Sequence, residues 1–145
     1  MLNGENMKLN KVKEYILNNL DNFQPQNNNN SLNDLVKIKF FDAFGSANWY
    51  ITDAYPTEED IILYGFADLG DPEMAEFGDV SLNELLNLKV NFNGCTINRI
   101  DIDEEATNKT LKECLDIDQF PYWENTIISS LYEDFKEISN KGRDR

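Results

Sequence analysis

Eleven carboxylates fall between Phe40 and Leu88, and no Lys, Arg or His interrupts them. Carboxylates in such numbers offer three kinds of chemistry: general acid–base catalysis, coordination of a hard cation, or attraction of a cationic partner. Acid–base work needs one carboxyl in an apolar pocket beside an ionised neighbour. The run Asp68, Asp71, Glu73, Glu76 and Asp79 offers no such pocket and reads more simply as a solvated acidic loop. Cation binding has its best case in Ile100-Asp-Ile-Asp-Glu-Glu105, where Asp101 and Asp103 would point the same way from a strand. The register fails a calcium loop, because Ala106 stands where glycine is needed and Lys112 where the bidentate Glu belongs. A strand end with Asp103 capping the next helix is the plainer reading.

Histidine is absent, which removes Ser-His-Asp and Cys-His nucleophiles, His-ligated zinc and the commonest neutral-pH base. Ser46, Ser81, Ser129 and Ser130 lie in no nucleophile elbow, and Gly65, Gly70 and Gly78 lack phosphate-loop spacing. No catalytic residue, metal ligand or cofactor is assigned. Lys8, Lys11 and Lys13 are too small a basic patch for direct nucleic-acid binding in a chain of net charge −14. Attraction of a cationic partner is the remaining chemistry. Glu58, Glu59, Asp60, Asp68, Asp71, Glu73, Glu76 and Asp79 are the candidate partner-binding residues.

Positioning these acids falls to a chain of 145 residues, 41% hydrophobic and 12% aromatic, which is enough for one folded domain. Leu9, Val12, Ile16 and Leu20 share one helical face, so residues 1–20 read as an N-terminal helix. Residues 21–31 form an Asn-rich linker, and residues 32–145 an α+β domain with C-terminal helices. Strands are expected at Leu35–Phe41, Ala47–Ala54 and Asp60–Leu69, the last apolar enough to be central. A short strand at Glu76–Val80 leads into Ser81-Leu-Asn-Glu84, a capping-box spacing for a brief helix. Asn93-Gly94 between Val90–Phe92 and Cys95–Ile102 is the strongest hairpin signal. A helix is expected around Glu104–Leu115. A last one starts at Pro121, its stripe of Trp123, Ile127, Leu131, Phe135 and Ile138 docking on the sheet. The expected fold is a single α+β domain with a mainly antiparallel sheet of about five strands. Cys95 and Cys114 have no CxxC relation and read as free thiols in a reducing cytosol. No signal peptide or membrane-length apolar run is visible, so the expected location is cytoplasmic.

Lys39-Phe40-Phe41, Trp49-Tyr50, Gly65-Phe66 and Glu76-Phe77-Gly78-Asp79-Val80-Ser81-Leu82-Asn83-Glu84-Leu85 occur in this order over residues 36–86. In these blocks the chain resembles a bacterial family labelled domain of unknown function 2958. It departs from that pattern at Ala43 and Asp79, where the family tends to have Pro and an aromatic. The N-terminal helix and everything beyond Asp103 lie outside the resemblance. It implies a small protein of the kind carried on plasmids and other mobile elements, and brings no catalytic residues.

Together these readings lead to an acidic inhibitor that imitates nucleic-acid charge and blocks a basic nucleic-acid-processing enzyme, of the anti-restriction or anti-CRISPR type. The partner is then a basic protein surface, with neither nucleic acid nor membrane bound directly. Two alternatives stand beside it. One is an immunity or antitoxin-like protein that neutralises a cationic toxin, with Trp49 or Tyr50 as aromatic anchors. The other is an enzyme using carboxylates and a divalent ion.

Overall fold

The structure, a computed structural model, describes residues 9–121. Leu9–Lys11 form a 3-10 turn that runs into helix α1, Val12–Leu17. Val12 and Ile16 are fully buried, and Leu9 and Leu20 pack against the same cluster, as the helical stripe predicts. The helix is short because Asn18 and Asn19 favour side-chain-to-backbone bonding over helix continuation, and the Asn19 amide donates to the Tyr15 carbonyl at 2.8 Å.

Strands β1 (Ile38–Asp42), β2 (Asn48–Pro56), β3 (Ile61–Asp68) and β4 (Glu76–Ser81) form a meander. The chain then passes through helix α2 (Leu82–Leu86) and a two-stranded hairpin of β5 (Lys89–Phe92) and β6 (Cys95–Asn98). Strand β7 (Ile100–Ile102) returns to the far side of β1, closing a five-stranded antiparallel sheet in the order β4-β3-β2-β1-β7. Asn93 and Gly94 take φ of 52° and 82°, the left-handed pair that a two-residue hairpin needs. The expected α+β architecture is present, with β3 interior to the sheet.

Both sheet faces are covered. Ile38, Phe40, Trp49, Ile51, Ile61 and Leu63 face α1, Phe23 and the Leu82 and Leu85 pair of α2. Tyr50 and Phe66 face the other way, beneath Leu111, Cys114 and Leu115 of helix α3 (Leu111–Ile117). A register shift between Ile51 and Asp53 then resets which face the rest of β2 presents. Strict alternation from Trp49 and Ile51 would send Asp53 into the first apolar cluster. The bulge instead turns Ala54 inward and sets Asp53 opposite Tyr64, where the Tyr55 hydroxyl donates to it at 3.0 Å.

The helix expected around Glu104–Leu115 is two elements. Glu104–Ala106 is a 3-10 turn capped by Asp103, whose side chain accepts from the Glu105 amide. Asn108 then takes φ of 66°, which no helix tolerates, and α3 starts afresh at a Thr110–Glu113 capping box. In the preceding loop, residues 21–31, the Gln26 side chain bonds the Leu35 amide and carbonyl at 2.7 and 2.9 Å. Asn30 caps the 3-10 turn Ser31–Asn33, and Phe23 is 1% exposed. The helix expected from Pro121 onward lies outside the described residues. Among the described residues, no helix is long and apolar enough to cross a membrane.

Candidate functional site

The eight candidate acids occupy two ends of the sheet. Glu58, Glu59 and Asp60 lie in the β2–β3 turn, while Asp68 ends β3, Asp71 and Glu73 lie in the β3–β4 connection and Glu76 starts β4. The eight residues of β3 separate the groups, roughly 25 Å at about 3.3 Å per residue. Asp79 lies between them on β4, opposite Tyr64. Glu76 and Asp79 project from opposite faces of that strand, since side chains alternate. The structure therefore brings these acids together as two groups rather than one patch.

Their duties differ. Asp60 is a structural residue. Its carboxylate accepts from the Ile61 amide at 2.6 Å, the Asn83 amide at 3.0 Å and the Ser81 hydroxyl, which pins α2 to the β2–β3 turn. Burial works against its ionised form, but those three donors and the Lys13 charge hold its pKa below the usual carboxylate range. Lys13 reaches the same turn and donates to the Glu59 carbonyl at 3.0 Å. Asp71 accepts from the Glu73 amide and caps the turn Pro72–Met74, and Asp68 accepts from the Gly70 amide, each at 3.0 Å. Glu58, Glu59, Asp71, Glu73, Glu76 and Asp79 are exposed. Among the described residues none of the eight forms an ion pair.

The cations that are paired sit elsewhere. Arg99 grips Asp42 through two bonds of 2.8 and 3.2 Å, and the guanidinium holds that carboxyl below its ordinary pKa. A second cluster went unread in the sequence. Lys39 lies 2.7 Å from Asp118 and 3.2 Å from Asp103, its ammonium 5.4 Å above the Tyr50 ring. The Tyr50 hydroxyl donates to Asp118 at 2.6 Å. Strand alternation puts Lys39 opposite the apolar positions, yet it does not reveal that this face is also roofed, leaving the Lys39 side chain 7% exposed.

A cavity of about 40 Å³ adjoins this cluster, lined by Asp103, Glu105, Lys109, Cys114 and Asp118 among others. Burial, reinforced by Asp118, pushes the Cys114 thiol up to about 11. Burial and the same carboxylate raise Tyr50. Both groups therefore stay protonated at neutral pH, the opposite of an activated nucleophile. The cluster's geometry is that of a lock fastening the end of α3 to the sheet. Cys95 and Cys114 are free thiols, the first exposed and the second buried. Among the described residues, no group of three or more His, Cys, Asp or Glu is arranged to hold a metal ion.

Residues 11–117 match the family model described as protein of unknown function (DUF2958), and the chain belongs to that family. The match extends beyond the span of residues 36–86 on both sides, taking in α1 and α3, which the conspicuous aromatic and glycine blocks do not reach. No curated protein and no solved structure matches the chain.

Proposed function

We propose that this DUF2958 chain is an acidic binding protein that captures a basic protein surface, its partner class being enzymes that process nucleic acid. One observation supports this reading above the others. An antiparallel sheet carries exposed carboxylates at both ends, and among the described residues none of the candidate acids forms an ion pair with a Lys or Arg. Unpaired charge of one sign on a fixed frame attracts the opposite sign over about a Debye length, ~8 Å at physiological salt. Carboxylates held about 25 Å apart can engage a cationic groove at two points.

Asp60 drops out of the binding set, since its oxygens are already committed to the turn. Glu58, Glu59, Asp68, Asp71, Glu73, Glu76 and Asp79 remain.

The test uses the full chain immobilised and offered purified restriction and CRISPR-type nucleases. At least one is expected to be retained at low salt and released both by added salt and by duplex DNA. Retention of none, or retention of an enzyme that still cleaves DNA at full rate, refutes the reading.

A further inference from the structure

We propose that the β5–β6 hairpin is a self-association surface: its apolar face packs against the same face of a second copy of this chain across a twofold axis. The inference is independent of the acidic capture proposed above and concerns a part of the molecule without carboxylates.

The register of the hairpin sorts its side chains. Val90 pairs with Ile97 and Phe92 with Cys95, while Lys89 pairs with Asn98 and Asn91 with Thr96. Residues directly opposite in an antiparallel pair share a face, and successive residues alternate. One face is therefore Val90, Phe92, Cys95 and Ile97, and the other is Lys89, Asn91, Thr96 and Asn98. The Lys89 ammonium donates to the Asn98 side chain on that second face, as the sorting requires. An antiparallel sheet normally lays its apolar face on a core. This one does not. Phe92 is 52% and Ile97 38% exposed, and neither strand holds a buried residue. Among the described residues, no hydrogen bond or ion pair ties residues 89–98 to the rest of the chain. The Phe44 ring, in the β1–β2 turn, lies 5.8 Å from that of Phe92 and widens the patch, being itself 42% exposed. A two-stranded hairpin is marginal in water without a further layer on its apolar face, and clustered exposed apolar side chains mark a contact site.

Charge identifies the occupant. From Leu85 to Ile100 the chain holds Lys89 and Arg99 and no Asp or Glu, although its net charge is −14. A cationic partner finds no carboxylate on this face and is drawn to the acidic groups elsewhere. Two copies that met through those acidic groups would set carboxylate against carboxylate, which electrostatic complementarity forbids. Meeting through the hairpin, they oppose apolar side chains only. Lys89 stands on the opposite face, and the neighbouring Asp42 is already neutralised by Arg99 at 2.8 Å. A twofold contact uses one patch on both copies, and an apolar face bearing an aromatic pair is complementary to itself.

The experiment is sedimentation equilibrium of the full chain from micromolar concentrations to about 1 mM, at low and at high salt. The expected result is a dimer that tightens as salt screens the charge of each copy, the reverse of the salt response of acidic capture. Phe92→Ser should weaken the dimer at least about tenfold with an unchanged circular dichroism spectrum, and Ile97→Thr should weaken it in the same direction. Asn91→Ala, on the other face, should change it by less than about twofold. A short bismaleimide should link the native chain into a covalent dimer through exposed Cys95, with Cys114 buried, and leave Cys95→Ser unlinked. A chain that stays monomeric throughout, a dimer that Phe92→Ser and Ile97→Thr leave intact, or one that Asn91→Ala weakens equally overturns the proposal. If a retained nuclease shields Cys95 from the maleimide while the free chain stays monomeric, the hairpin belongs to that partner and self-association falls.

Discussion

Gly65 shows how far a single atom constrains this sheet. A Cβ at that position would lie 1.9 Å from the Tyr50 carbonyl oxygen, at the site where the β2 bulge draws the two backbones together. Gly65→Ala should therefore cost at least about 2 kcal/mol, because relief requires moving backbone rather than a side chain. Gly78→Ala, with open space around it, should stay within about 0.5 kcal/mol. Urea titration of the two variants separates them, and equal losses would contradict the close approach. Asp60 makes a residue-scale prediction of a different kind. Its folded pKa lies below the unfolded value, so near that pH the unfolded chain binds more protons and stability rises with pH. The contribution is complete above the unfolded value of about 3.9 and is lost as pH falls through the lower, folded one. The stability gap between wild type and Asp60→Asn should be level near neutrality and shrink in acid, and a gap that is constant in acid would contradict the assignment. Sequence alone suggested a surface acid here, since nothing local shows that Ser81 and Asn83 fold back onto it across more than twenty residues.

Elements whose signals are local were the legible ones. Alternating apolar residues marked β1, β2 and β3, Asn93-Gly94 marked the β5–β6 turn, and Ser81 marked the start of α2, accepting from the Glu84 amide at 3.1 Å. The bulge in β2 was illegible because it answers a tertiary demand, keeping Asp53 out of an apolar cluster. The break before α3 was legible in principle, through Asn108 and the Thr110-x-x-Glu113 box, but the acidic run ahead of it looked like a helix start. Removing that cap should matter. Thr110→Ala is expected to cost about 1 kcal/mol, the usual loss for a helix N-cap. Glu113→Ala removes the reciprocal bond that the Thr110 amide donates to the Glu113 carboxylate, 2.8 Å long, and should cost less. Thermal unfolding of both variants reads this directly. Equal and negligible shifts would show that packing of Leu111 and Leu115 alone fixes the helix.

At the level of the molecule, charge segregation was visible in the sequence while its distribution in space was not. A stretch without cations promised a negative surface, yet only the meander shows that β3 parts the acids into two groups and that Lys13 approaches one of them. The buried Lys39 cluster was hidden for the same reason, because Asp103 and Asp118 arrive from 64 and 79 residues away. On the proposed reading, a partner meets two acidic groups, one at the β2–β3 turn and one around the β3–β4 connection. The direct test is the salt-dependent affinity of a purified retained nuclease for the native chain and for one carrying Glu58→Gln, Glu59→Gln, Glu73→Gln and Glu76→Gln. The account predicts binding that weakens steeply with salt and a fold-preserving loss of about a hundredfold in the variant. Affinity that survives the four substitutions, or ignores added salt, would contradict it.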